Sequence, residues 1–321
     1  MFTECDLYLI IMHSSIRQVD SRKPLHVRLK NTESKYLTHT EKEDPVLPAL
    51  FVFQGMRGSG KSYACVQMCR HFEKKGYIQR TFLLCPTAGE KNQKETIYTN
   101  LKTLDQKDVC TDINNFEKAL VQIQERVKKD WSTYEKFLLH RKAFLNHSQH
   151  KRLSNEETAV LVEHDYNPPF MEVKPKRHML ICDDCQGSSV YTQTRRGMLN
   201  HLSIKHRHVP LTICFLVQSW VGVPRTIRLN ATQYLIFKTS DKTQLDQIYS
   251  AFANTISRDQ FEEVYQEATG PDPHGFLYID VVPKEPWMRF RKGFNKFLVP
   301  PTEHLRNDNR QSDYSRKRQR Y

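Results

Sequence analysis

Residues 55–62 read Gly-Met-Arg-Gly-Ser-Gly-Lys-Ser and fit the pattern G-x-x-x-x-G-K-[ST] in full. Those residue types bind phosphate. Gly55, Gly58 and Gly60 let the backbone fold so that amide hydrogens converge on phosphate oxygens. A helix opening directly after the loop adds the positive end of its dipole. Lys61 reaches the β- and γ-phosphates of a nucleotide, and the Ser62 hydroxyl holds its Mg²⁺. With Met56, Arg57 and Ser59 inside the loop and Tyr63 behind it, the segment predicts a cradle for ATP with Mg²⁺.

A second constellation lies downstream. The apolar run His178-Met179-Leu180-Ile181-Cys182 ends in Asp183 and Asp184. Apolar residues running into an acid place a carboxylate at a strand tip. Asp183 is expected to bind the Mg²⁺, usually through water. Asp184, one methylene shorter than the more usual Glu, is expected to orient and deprotonate an attacking water. Gln218 closes the next apolar run, 211–217, where a polar side chain can sense the γ-phosphate. Cys182-x-x-Cys185 invites a zinc reading, but no second Cys or His pair follows at finger spacing. Cys65 and Cys69 share a helix face and read as small apolar packing.

Positioning these groups takes a strand before the phosphate loop and a helix after it. Residues 50–54 are a short apolar run ending at glycine, which reads as a buried strand. Residues 61–76 have helical periodicity, with Gly76 as the stop. Further buried strands are expected at 81–85, 179–182, 211–217 and 234–238, and an edge strand at 276–282. Helical patterns cover 192–206, 241–253 and 257–268. Between 112 and about 147 the apolar positions Phe116, Leu120, Ile123, Val127, Trp131, Tyr134 and Leu138 step by three or four residues. That is a long amphipathic helix with a charged outer face. It reads as part of a helical insertion at about 105–175, either projecting or packed on its own domain. The expected organisation is a basic arm at 1–45, an α/β nucleotide-binding domain at 46–298 and a disordered basic tail at 299–321. The arm carries Arg17, Arg22, Lys23, Arg28 and Lys30, and the tail carries Arg316, Lys317, Arg318 and Arg320.

Composition narrows the class. The 321 residues are 38% hydrophobic and 11% aromatic, enough to bury a core. Lys plus Arg is 49 against 36 Asp plus Glu, a net charge of +13 that points to a polyanion partner, nucleic acid first. The apolar stretch 7–12 is too short to span a bilayer, and the start has no basic region or cleavage site of a secretory signal. The 8 cysteines fall mostly in apolar runs and read as reduced intracellular thiols. The segment 289–297 interleaves cations with aromatics, either to touch phosphates or to pack on the core as a terminal element. The tail reads as a nuclear import signal, a DNA-binding tail or a solvated charge run.

From about residue 50 to residue 296 the chain resembles the viral genome-packaging ATPases of the FtsK/HerA superfamily. The nearest group is the poxvirus-type packaging ATPases of large DNA viruses, virophages and related transposons. The resemblance rests on the phosphate loop, on Phe82-Leu83-Leu84-Cys85-Pro86 and on Ile181-Cys182-Asp183-Asp184. Its most telling part is Arg207-His208-Val209-Pro210-Leu211-Thr212, then Gln218-Ser219-Trp220, then Val223-Pro224-Arg225-Thr226-Ile227-Arg228-Leu229-Asn230-Ala231. Phe276-Leu277-Tyr278-Ile279-Asp280 and Phe290-Arg291 also fit.

The resemblance implies a RecA-like P-loop NTPase with a mainly parallel central sheet in the order 5-1-4-3-2, flanked by helices. It implies a homo-oligomeric ring that hydrolyses ATP to move double-stranded DNA, without sequence specificity, into a capsid. Capsid or portal proteins would be partners, no membrane is involved, and the setting would be a viral assembly site in nucleus or cytoplasm, or the virion. Arg207, before the sensor strand, is the first candidate for an arginine finger reaching the neighbouring subunit, followed by Arg225 and Arg228. Two features depart from the pattern. The acid pair is Asp-Asp, and the 105–175 insertion has no role in the core motifs, so lid, capsid-docking arm and DNA guide all stay open. Two other functions also remain: a small-molecule P-loop kinase, and a nucleotide-gated DNA-binding scaffold that hydrolyses little.

Overall fold

The structure, a computed structural model, describes residues 36–38, 40–88, 98–169, 171–191 and 197–301. The expected basic arm up to residue 35, residues 192–196 of the 192–206 helical pattern and the tail from 302 onward lie outside the described residues.

A single mixed sheet organises the chain. Its strands are β1 (Leu50–Gln54), β2 (Arg80–Leu84), β3 (Leu104–Cys110), β4 (His178–Asp183), β5 (Leu211–Val217), β6 (Gln233–Phe237), β7 (Phe276–Asp280), β8 (Phe290–Lys292) and β9 (Lys296–Leu298). Their spatial order is β3-β2-β4-β5-β1-β6-β7-β8-β9. The first six are parallel, and β7, β8 and β9 add on antiparallel. The five-strand order 5-1-4-3-2 therefore does not describe the whole sheet. The run β6-β1-β5-β4-β2 carries the five anticipated strands, and β3 extends it on one side while three antiparallel strands extend it on the other. The strand at 276–280 is not an edge, because β8 pairs with it.

The central strands explain their own sequences. β1, β5 and β6 are buried at every position, so they read as unbroken apolar runs rather than alternating ones. Alternate residues of β1 enter different cores. Leu50 and Val52 join Phe82, Leu180, Ile213 and Phe215 on one face, while Phe51 and Phe53 join Met68, Phe72, Ile181 and Leu216 on the other. α1 (Lys61–Lys74) covers the second face with Ala64, Cys65, Met68, Cys69 and Phe72. Gly76 follows it with φ 69, a left-handed stop that suits glycine. The first face is covered by α2 (Phe116–Ser148), α4 (Met198–Lys205), α6 (Lys242–Phe252) and α7 (Arg258–Thr269). The short α5 (Arg225–Asn230) adds Ile227 to that core.

The segment expected to be wholly an insertion is divided. Its first part is β3, a polar strand held on the sheet edge by a bidentate pair in which Arg80 Nε and Nη2 donate to Asp108 at 2.8 and 2.6 Å. The first half of α2 packs Phe116, Leu120, Ile123 and Val127 into the core. Only the second half stands away, where it pairs with α3 (Asn155–Glu163). Ser154 caps α3 with a reciprocal box: its hydroxyl accepts from Glu157 N at 3.2 Å, and Glu157 accepts from Ser154 N at 2.8 Å. That backbone bond, with Lys142 beside it, holds the Glu157 carboxyl well below its usual range.

The 289–297 segment forms most of the β8–β9 hairpin. Phe290 and Arg291 are buried, and the Arg291 guanidinium lies over the Tyr278 and Phe297 rings at 4.9 and 4.6 Å. Packing accounts for Arg291 in that mixture of cations and aromatics, while Lys296 is exposed. Among the described residues no helix is long and apolar enough to cross a membrane.

Candidate functional site

The phosphate loop leaves β1 where Gly55 N donates to Val217 O at 3.1 Å. Gly58 and Gly60 take φ 80 and 95, which side chains with a Cβ rarely adopt. A Cβ on Gly55 would lie 2.7 Å from both Phe237 Cβ and Ser59 Oγ, so only glycine fits between them. Gly60 is the left-handed residue before α1, and the first amides of that helix point into the loop's mouth with no intrahelical acceptor. Lys61 is 7% exposed, and its ammonium donates to Gly55 O at 2.7 Å and Met56 O at 2.8 Å. The lysine is thus folded back onto the loop and ties its first two residues together. Met56, Arg57 and Tyr63 are exposed around the rim, and Ser59 Oγ is buried with no hydrogen-bond partner among the described residues.

The acids stand directly beside this loop. Asp183 is 1% exposed, and its Oδ2 accepts from Ser62 Oγ at 3.0 Å and from the Tyr98 hydroxyl at 2.8 Å. Burial, then the neighbouring Asp183 charge, pushes the Tyr98 phenol well above its usual range, so Tyr98 stays a donor. An all-oxygen pair of a hydroxyl and a carboxylate, one hydrogen-bond length apart at the mouth of a phosphate loop, fits a hard cation such as Mg²⁺. Asp184 has φ 54, a left-handed conformation more tolerable for Asp than for most side chains. That kink turns the second acid away from the buried first one and toward β5.

Gln218 meets it there, with Nε2 donating to Asp184 Oδ1 at 3.1 Å. The end of β5 is fixed by a residue the sequence did not single out. Gln186 Oε1 accepts from Gln218 N at 3.0 Å, and its Nε2 donates to Ser219 O at 3.1 Å. A Cβ on Gly222 would come within 2.3 Å of that Nε2, so Gly222 is what admits the Gln186 amide. Gln186 therefore locks the acid-bearing loop to the loop after β5. Gln54 at the end of β1 adds a longer bond, Nε2 to Gln218 O at 3.5 Å.

The structure brings Ser62, Asp183, Asp184 and Gln218 into one connected set beside Lys61. It does not bring Arg207 there. Arg207 is exposed in the turn before β5, at the other end of a 7-residue strand and so about 20 Å from Gln218. Arg225 is exposed at the start of α5. Arg228 is half-buried: its Nε donates to Val223 O at 3.1 Å, its guanidinium lies over the Trp220 ring at 5.6 Å, and its carbonyl accepts from the Tyr234 hydroxyl.

Tyr98, Gln186 and His274 escaped the sequence reading. Tyr98 and Gln186 reach their partners across 85 and 32 residues of chain, with no local pattern to reveal it. His274, between α7 and β7, lies over the loop glycine: a Cβ on Gly60 would be 3.3 Å from its Nδ1. Cys182 and Cys185 are buried, and contact with Cys182 together with burial pushes the Cys185 thiol well above its usual range. Neither is placed as a metal-binding thiolate, and among the described residues no His, Cys, Asp and Glu cluster forms a metal site of that kind. Cys65 and Cys69 are buried against Met179 and Cys214, as small apolar packing requires.

No protein-family model matches the chain, and no curated protein does. Solved structures do match. The genome packaging NTPase B204 from Sulfolobus turreted icosahedral virus 2, in complex with ATP-gammaS, is 14% identical with a TM-score of 0.43. The match covers 74% of this chain and 95% of that one. B204, the DNA-packaging ATPase from Sulfolobus turreted icosahedral virus, is 14% identical over 73% of this chain and 93% of its own, with a TM-score of 0.44. EssC (ATPases 2 and 3) from Geobacillus thermodenitrificans is 10% identical over 80% of this chain but only 41% of its own, with a TM-score of 0.45.

Proposed function

We propose that this chain is an ATP-hydrolysing motor that translocates double-stranded DNA and packages a viral genome into its capsid. The observation that carries the proposal is the join between the two strand ends. Ser62 touches Asp183, and the neighbouring Asp184 touches Gln218. In this reading those bonds link the proposed phosphate, metal and water positions to the end of β5. A plain kinase site needs no such link.

In this reading the triphosphate enters the loop mouth and Lys61 exchanges its two carbonyl acceptors for β- and γ-phosphate oxygens. Ser62 and Asp183 would hold Mg²⁺, which would supply charge neutralisation for the triphosphate. Asp184 takes the proton of the attacking water as its oxygen bonds to the γ-phosphorus. The bond to the bridging oxygen breaks, and ADP leaves with that electron pair. Gln218 registers the γ-phosphate and passes its loss to the loop after β5 through Gln186. Arg207 is on the wrong edge to serve its own nucleotide, which suits a finger offered to the next copy in a ring. Such a finger is worth about 10³–10⁵-fold in related systems. Duplex DNA, capsid or portal proteins and a viral assembly site complete the reading, in keeping with the net charge of +13.

The test is hydrolysis by the purified chain at low salt, with and without linear duplex DNA. A rate that rises several-fold with duplex supports the motor. A DNA-blind rate, or phosphorylation of a nucleoside, would move the assignment to a kinase or a scaffold.

A further inference from the structure

The α2–α3 hairpin is the largest element that the nucleotide site does not use. Its direction follows from one contact. His178, the first residue of β4, hydrogen-bonds through Nε2 to Asp130 of α2 at 3.0 Å. By residue 130, α2 has therefore reached the edge of the sheet where the parallel strands begin. The remainder of the helix, to Ser148, adds about 27 Å of helix beyond that contact at 1.5 Å per residue. The phosphate loop is at the opposite edge, so the hairpin cannot be a lid over its own nucleotide.

The projection is built to be stiff. Ala143 and Leu161 are buried between the helices. The His140 and His164 rings stack at 4.0 Å, and Asn146 Nδ2 donates to Glu157 at 3.0 Å. The turn is closed by His150 at φ 51 and by Lys151 N donating to Asn146 O at 2.9 Å.

The turn of the hairpin gathers cations, while the facing α3 carries Glu156, Glu157 and Glu163. From residue 136 to residue 155 there is no Asp or Glu, while Lys136, Arg141, Lys142, Lys151 and Arg152 all fall there. Lys142 is paired with Glu157 at 2.9 Å. Lys136, Arg141, Lys151 and Arg152 are exposed, and no carboxylate of the described residues pairs with them. Like charges within about a Debye length repel and weaken the fold that holds them. A rigid arm that gathers them is explained by a polyanion that meets them. The edge from which the arm springs adds exposed Lys174 and Lys176.

We infer that the tip of the α2–α3 hairpin binds the phosphate backbone of duplex DNA, at a site remote from the nucleotide. The inference rests on duplex DNA being the partner of the motor. It adds a second, nucleotide-independent hold on that partner.

The test uses the full chain with Lys136→Ala, Arg141→Ala, Lys151→Ala and Arg152→Ala combined. All four positions are exposed, so the variant should fold, which circular dichroism checks. Binding to a short fluorescent duplex of mixed sequence is followed from about 50 to 200 mM salt. The expected result is a loss of affinity on the order of 10-fold or more at the lowest salt, with the log–log salt slope shallower by up to about 3.6. DNA-free ATP hydrolysis should be unchanged. A control, Leu138→Ser with Leu145→Ser, removes exposed apolar groups of the same tip and should bind like wild type.

Unchanged affinity and slope in the fourfold variant would overturn the inference. So would binding lost only in the leucine variant, which would make the tip a protein-docking surface. A wild-type chain that does not bind duplex at 50 mM salt would also overturn it, even if Lys61-dependent hydrolysis persists. Tip-dependent binding by a chain that hydrolyses no ATP would instead support the tip while removing the motor reading.

Discussion

Lys61→Ala is expected to reduce ATP hydrolysis by on the order of 10²–10³-fold, the usual cost of removing one preorganised donor from a developing charge. The geometry makes the loss larger than that of a surface lysine. The ammonium is buried and makes two short bonds to the carbonyls of Gly55 and Met56. Alanine therefore removes a closing strut of the loop as well as the charge proposed to meet the γ-phosphate. Nucleotide affinity should fall along with kcat. Lys61→Arg should not rescue, because the guanidinium is too broad for the space between two carbonyls on adjacent residues. Steady-state hydrolysis with nucleotide binding followed by a fluorescent ATP analogue separates the two effects. Full activity in Lys61→Ala would mean that the loop is not the hydrolytic site.

Asp184→Asn is expected to lower kcat by about 10²–10⁴-fold, the range of general acid–base contributions, while leaving nucleotide affinity nearly intact. The substitution is unusually clean here. Asparagine tolerates the left-handed backbone at φ 54 and can still accept the bond from Gln218 Nε2. Shape and the link to Gln218 survive, and the negative charge is lost. Asp183→Asn provides the contrast. It weakens the carboxylate that Ser62 and Tyr98 both address, so Mg²⁺ dependence should shift there and not at Asp184. An Asp184→Asn enzyme with wild-type kcat would put the base elsewhere in the site.

What could be read from the sequence follows from where each group gets its constraint. β1, β4, β5 and β6 are covered on both faces, so burial itself writes an apolar run, and Gly55, Asp183 and Gln218 mark where the runs stop. The loop glycines are legible because backbone conformation allows little else at Gly58 and Gly60. β3 was hidden for the opposite reason. It is an edge strand of polar residues, held by the Arg80–Asp108 pair and by backbone bonds that no periodicity records. The segment of the β8–β9 hairpin left two readings open, because a guanidinium stacked on Tyr278 and Phe297 has the same composition as one facing solvent.

The α2 periodicity was visible, but it could not tell a helix resting on the sheet from one leaving it. Both are true of different halves, and Asp130 meeting His178 is the dividing contact. Within the site, Tyr98 and Gln186 act by distant approach. Their roles depend on a fold that brings a tyrosine onto Asp183 and a glutamine onto the end of β5.

The most direct test of the central claim is displacement of a third strand from a linear duplex. A labelled triplex-forming oligonucleotide is bound near one end, and its release is followed after adding the chain with ATP. The account predicts ATP-dependent release while the duplex itself stays paired, and no release by Lys61→Ala. Hydrolysis stimulated by DNA with the third strand left in place, or release accompanied by separation of the duplex strands, would contradict it.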